Sequence, residues 1–421
     1  MNSTLLQQVR LLNPITNRDE TNDVLIIDGE IRDIKPKINS IPKDTIQENC
    51  QGLILAPGLV DLYSYSGQPG HEERETLATL SAAATAGGFT RVSILPNTLP
   101  PIDNAAGLML LQQKVQAINF NFPCRLSFWG GLTLDIGGKQ MTELAELAEA
   151  GVIGFTDGKP ITDLLLVRRL LEYLKPLGKP IALMAVNSQL AGNGVIREGV
   201  LSVTSGLPAS PDIAESAALA ALLEIVAAIG TPVHLMRIST ARSVELIANA
   251  KAKGLPITAS TTWMHLLRNT QYLGNYDPNL RLQPPLGNKV DQLALIDGVK
   301  SGVIDAIAVD HTPYTYEEKT VAFAQAPPGV IGLELALPLL WQALVATGKL
   351  SALELWSSLS TTPQKCLRQP PITCDVGGKA ELVLFDPQSV WAIKPQTLQS
   401  ASCNTPWLGK EITGRVVRIW N

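Results

Sequence analysis

A chain of 421 residues, 45% hydrophobic and 17% charged, carries enough apolar material for one large buried core with a smaller unit beside it, which excludes a disordered chain. Its formal net charge of -4, with no long run of like charges, argues against nucleic acid or an anionic membrane surface as a partner and leaves a protein or a small molecule. Met1 to Thr16 lacks a basic segment followed by an apolar one, and no stretch is long and apolar enough to span a bilayer, so a cytoplasmic location is expected. Cys50, Cys124, Cys366, Cys374 and Cys403 are odd in number and scattered, with no CxxC pair. Reduced, structural thiols are expected.

In chain order, Val24 to Ile31 comes first, with a hairpin signal at Asp28-Gly29. Eight apolar runs follow: Leu59 to Tyr65, Arg91 to Pro96, Arg125 to Trp129, Val152 to Thr156, Ile181 to Asn187, Val233 to Ser239, Ile257 to Thr262 and Ala306 to Asp310. Helical patterns lie between or after them at Glu73 to Ala86, Thr142 to Ala150, Asp163 to Leu174, Ile213 to Ile229, Ala241 to Lys253, Val290 to Lys300 and Leu333 to Thr347. Several stop at glycine, as at Gly87-Gly88, Gly151, Gly230 and Gly254. Eight such units predict an α/β fold, a (β/α)₈ TIM barrel over residues 56–374. A doubly wound open sheet is the runner-up, but the turn after the first strand, Tyr63 to Gly70, is not a glycine-rich phosphate loop. Short strands at Glu381 to Phe385 and Arg415 to Trp420 close the chain. Residues 1–55 with 375–421 are expected to pair into a small β-sandwich domain.

Barrel enzymes carry their chemistry at the C-terminal ends of strands. There the chain resembles the dihydroorotases of the amidohydrolase superfamily: Ala56-Pro57-Gly58-Leu59-Val60-Asp61-Leu62, Pro96-Asn97-Thr98 with Pro101 to Asn104, Pro284-Pro285-Leu286, Asp310-His311-Thr312-Pro313, Ala326 to Gly329, Gly332-Leu333-Glu334, Asn404-Thr405-Pro406 and Gly414-Arg415-Val416 follow the family in order. The resemblance implies reversible hydrolysis of a cyclic amide, between N-carbamoyl-aspartate and dihydroorotate, at a zinc site. The implied ligands are absent. Tyr63 and Tyr65 stand where the family has a His-x-His pair, Gly67 where it has a substrate-binding arginine, Met184 where its fifth strand has histidine, and Arg237 where its sixth has another. Two carboxylates survive: Asp310, the family's metal ligand and general base and here a vestigial one, and Asp157, near a bridging-ligand position. Asn97 and His311 match substrate-binding positions.

Catalytic zinc needs about three imidazole, thiolate or carboxylate ligands plus an open position, and two carboxylates cannot supply them. No cofactor is therefore expected, with zinc the exception if the chain is active. A fixed guanidinium at Arg237 could supply the missing charge, which predicts an ion pair with a carboxylate inside the barrel mouth. Of the four histidines, His71 is expected to be solvated. His234, three residues before Arg237, should by period-two alternation face the helices, and His265 should be structural. His311 stands between a remnant of substrate contact and a hydrogen-bonded loop residue.

The substitutions resemble the noncatalytic dihydroorotase homologues that assemble with aspartate transcarbamoylase, which implies a scaffolding role in pyrimidine biosynthesis as a homo-oligomer bound to that partner. The alternatives are an active dihydroorotase using Asp310 with an atypical metal site, and a small-molecule sensor.

Overall fold

The computed structural model describes residues 3–118 and 122–421. Eight short parallel strands alternate with helices: Leu59–Ser64, Phe89–Ile94, Arg125–Gly130, Gly154–Phe155, Ala182–Met184, Val233–Met236, Ile257–Thr262 and Ala306–Ala308. Ladders join the first four to one another and the last four likewise. A parallel bridge between Phe155 and Ile181 links the halves, and the Tyr65 N–H, donating to the His311 carbonyl at 2.8 Å, closes the eighth strand onto the first. The result is the expected barrel.

Alternation along the strands explains why these sequences close. Outward residues such as Leu59, Val233, Leu235, Ile257 and Ala259 join the large cluster shared with the helices, while Val60, Leu62, Ala182, Met236, Ala306 and Ala308 fill the interior around Tyr63 and Trp129. Helix ends follow their local chemistry. Thr240 caps Ala241–Ala252 by accepting from the Ser243 N–H, and Asn288 and Ser351 open capping boxes with Asp291 and Glu354. Gly230 ends Ile213–Ile229 in the left-handed region that a Cβ would oppose.

Most strands stop short of expectation: the first and fourth end at Ser64 and Phe155 rather than Tyr65 and Thr156, and the second, fifth, sixth and eighth at Ile94, Met184, Met236 and Ala308 rather than running on to Pro96, Asn187, Ser239 and Asp310. The positive φ of Arg237 (54°) and of Asp310 (53°) cannot continue a pleat. The apolar run from Leu333 forms a short helix, Ala336–Leu340, that widens into a π-turn at Trp341–Val345. A further helix, Ala105–Ile118, lies between the second and third barrel strands, where no periodic pattern predicts one.

The two ends of the chain do pair. Asp28 and Gly29, both at positive φ, turn Arg18–Ile27 onto Glu30–Lys35. Leu382–Ala392 pairs with Glu411–Trp420 and with Ile54–Pro57, so the expected sandwich is one continuous seven-stranded sheet. All five cysteines are free thiols. Among the described residues, no helix is long and apolar enough to cross a membrane.

Candidate functional site

The C-terminal ends of the strands open onto a cavity of about 240 Å³ lined by Tyr65, Asn97, Met184, Arg237, His265 and Asp310, with Lys159 and Tyr314 from the loops after the fourth and eighth strands. Arg237 organises it. Its Nε donates to Asp310 Oδ2 at 2.8 Å and its Nη2 to Oδ1 at 2.6 Å, a bidentate pair in which Arg237 is 4% exposed and Asp310 16%. The remaining N–H groups reach the Gly158 carbonyl at 2.9 Å and the Tyr65 hydroxyl at 3.1 Å, and the guanidinium lies over both the Tyr63 and Tyr65 rings. Burial opposes its charge, yet Asp310 and the two tyrosines hold the pKa well above the ordinary guanidinium value. The expected ion pair is thus present, a fixed cation beside Asp310 inside the barrel mouth.

Below the mouth runs a polar chain. The Arg237 N–H donates to the Tyr63 hydroxyl at 3.1 Å, which is 2.8 Å from Ser260 Oγ, which is 2.9 Å from His234 Nε2. The other His234 nitrogen is 2.9 Å from Thr258 Oγ1. His234 is therefore buried but faces the barrel interior, not the helices. Alternation misplaces it because the strand ends at Met236 and Arg237 is off the pleat. Burial pushes its imidazole down to about 3, with help from Lys251.

Two further placements differ from expectation. Asp157 turns away from the mouth: its Oδ1 accepts from the Leu132 and Thr133 N–H groups at 2.8 and 3.0 Å and its Oδ2 from the Thr133 hydroxyl at 2.5 Å, so it pins a loop instead of facing a ligand. Burial raises its pKa even against those bonds. His311 is 1% exposed and points behind the mouth. Its Nδ1 accepts from the Gly332 N–H at 3.1 Å, leaving Nε2, 3.3 Å from Glu75, as the donor. It is the hydrogen-bonding loop residue, because the left-handed turn at Asp310 sends successive side chains in different directions. His265 lines the mouth with both nitrogens engaged, by Thr262 Oγ1 at 2.8 Å and the Pro284 carbonyl at 3.2 Å, as a structural residue would be. His71 is half-exposed beside Glu73. Asn97 does line the cavity; its Nδ2 donates to the Asp157 carbonyl at 3.0 Å while its buried Oδ1 has no partner.

Sequence reasoning missed Lys159 and Tyr314. Their signal was position alone, on the loops that follow the fourth and eighth strands. It also left Glu215 without a role. That carboxylate accepts from the N–H groups of Ser239 and Thr240 at 3.0 and 3.1 Å and from both their hydroxyls, fixing the turn that carries Arg237.

The residues present do not fit zinc. Tyr65, Met184 and Arg237 occupy the strand ends, and the one carboxylate there is held by a guanidinium. Among the described residues, no group of three or more His, Cys, Asp or Glu is placed to hold a metal.

A family model described as Dihydro-orotase-like matches residues 52–243. The chain is 47% identical to the "Probable dihydroorotase-like protein" of Synechocystis sp., over 97% of this chain and 98% of that one. The chain belongs to the dihydroorotase-like family. This dihydroorotase-like protein is also 36% identical to a dihydroorotase of a Geobacter species, over 98% of this chain and 96% of that one. In fold it is similar to the L-hydantoinase (dihydropyrimidinase) of Arthrobacter aurescens, with a TM-score of 0.86 and 20% identity over 100% of this chain and 97% of that one. That likeness bears on architecture alone, a barrel joined to a separate sheet.

Proposed function

We propose that this dihydroorotase-like protein does not hydrolyse a cyclic amide through a metal and instead serves pyrimidine biosynthesis as a noncatalytic, cytoplasmic, homo-oligomeric partner of aspartate transcarbamoylase. The observation that carries the first half is the bidentate Arg237–Asp310 pair. A general base must be free to take a proton from its substrate, and Asp310 spends both oxygens on a guanidinium that never deprotonates in the working pH range. The partner rests on the resemblance of the substituted strand ends to the noncatalytic homologues.

A second reading, an active dihydroorotase, is favoured by the relatives: several chains 33–37% identical over more than nine-tenths of this one carry the name dihydroorotase. Their names support this reading better than the first. It requires Arg237 to release Asp310 when substrate enters beside Asn97 and Lys159.

Dihydroorotate hydrolysis by protein purified from a host lacking its own dihydroorotase decides between them. No turnover above the uncatalysed rate, together with co-elution with aspartate transcarbamoylase, supports the first reading. Turnover that disappears on chelation establishes the second.

A further inference from the structure

Beside the mouth, sharing Gln283 and Pro328 with it, lies a separate cavity of about 340 Å³. It is walled by the loop Ala191 to Val195, by Arg197 and Glu215, and by the Arg281 to Pro285 segment. Two arginines line it, and neither has a carboxylate within 4.0 Å among the described residues, where every other short cation–carboxylate pair is accounted for elsewhere. Arg197 is 3% exposed. Its Nη2 donates to Ser239 Oγ at 2.7 Å and more weakly to the Pro285 carbonyl at 3.3 Å. Arg281 donates from Nη1 to the Leu282 carbonyl at 2.8 Å. In both, the Nε–H is buried and has no acceptor.

The one carboxylate on the wall, Glu215, is already saturated by Ser239 and Thr240, so it does not answer these cations. On the Arg281 side, Lys319 is 7% exposed, donates to the Pro278 and Pro327 carbonyls and lies over the Tyr314 ring; burial and Arg281 push its ammonium down to about 7 against the opposing pull of Asp277 and Glu318. Guanidinium groups are retained in such places where a planar or tetrahedral oxyanion can take two or more of their N–H groups at once.

We propose that this cavity binds a small oxyanion, the carboxylate or phosphate of a soluble metabolite, through Arg197 and Arg281. The site is distinct from the Arg237–Asp310 mouth and independent of whether Asp310 supports turnover. Its volume suits a ligand larger than the bare anion.

The test is calorimetric titration of the full chain with inorganic phosphate and, separately, with malonate, at constant ionic strength. The expected result is saturable binding at one site per chain, weakened about tenfold or more in Arg197→Met and in Arg281→Met and unchanged in Lys159→Met, which alters the mouth alone. Tighter phosphate binding identifies a phosphorylated ligand, and tighter malonate binding a carboxylate one. Should Arg197→Met not fold, Arg281→Met, at the less buried side chain, decides. No saturable binding of either anion below about 10 mM, or binding abolished by Lys159→Met and not by the arginine variants, overturns the proposal.

Discussion

Arg237 and Asp310, from the ends of the sixth and eighth barrel strands, meet through two hydrogen bonds of 2.8 and 2.6 Å inside the barrel mouth. Each residue takes a positive φ to do so, a backbone cost of order 1–2 kcal/mol apiece that surrounding contacts must offset. The pairing therefore makes a specific claim about stability. Arg237→Met strands a carboxylate and Asp310→Leu strands a guanidinium, and each single change is expected to lower unfolding free energy by about 3–5 kcal/mol, because an uncompensated buried charge remains. The double change should recover most of that loss. Urea denaturation of the four proteins measures it, and single variants within about 1 kcal/mol of the parent, a surface-pair value, would show that the pair contributes little.

Metal dependence gives a second expectation. With tyrosine, methionine and arginine at the strand ends, dialysis against a chelator should leave the thermal midpoint unmoved, since a ligand that does not bind the native state cannot stabilise it. Replacing Tyr63, Tyr65, Met184 and Arg237 together by histidine should create affinity for about one or two zinc ions per chain. Elemental analysis before and after chelation reads both, and a chelator-sensitive midpoint in the unsubstituted protein would contradict the assignment.

The interior histidines predict a pH signature. Burial pushes His234 to about 3 and His265 to about 4, below the 6.5 of an unfolded imidazole. Between those values the unfolded chain binds protons that the native chain does not, so each histidine removes stability as pH falls below about 6.5, at up to about 1.4 kcal/mol per pH unit. Burial raises Asp61 and Glu334 to about 7, and these work in the opposite sense across the same window. The effect is therefore read as the difference between the parent and His234→Gln, which should narrow steadily as pH drops from 6.5 toward 4. A constant difference would mean that His234 is not held neutral.

Gly158 tests how tightly the mouth is built. It sits at a φ of +62°, and an added Cβ would lie 2.4 Å from Asn97 Oδ1, while its carbonyl receives Arg237 Nη1. Gly158→Ala is expected to cost more than the roughly 1 kcal/mol of the backbone conformation alone and to displace both Asn97 and the guanidinium. Thermal denaturation, together with the near-ultraviolet circular dichroism of Tyr63 and Tyr65, follows the two effects. An unchanged spectrum and midpoint would mean that the turn is more forgiving than its geometry.

The strand order, the Asp28-Gly29 hairpin and the loss of imidazole at Tyr63, Tyr65, Met184 and Arg237 were determined by the sequence itself, because each depends on residue identity and short-range periodicity. The ion pair could be anticipated for the same reason: both partners stood at strand ends that a barrel brings to one mouth. Only the tertiary structure decided where side chains point once the pleat is abandoned. A single left-handed residue, Arg237, upsets the alternation that would have turned His234 toward the helices, and another, Asp310, turns His311 back onto Glu75. Asp157 is withdrawn by donors on a loop from another strand. Arg197 and Arg281 are far apart in the chain and carry no local pattern, and only packing, which sets solvation and distance, brings both to the lining of one cavity.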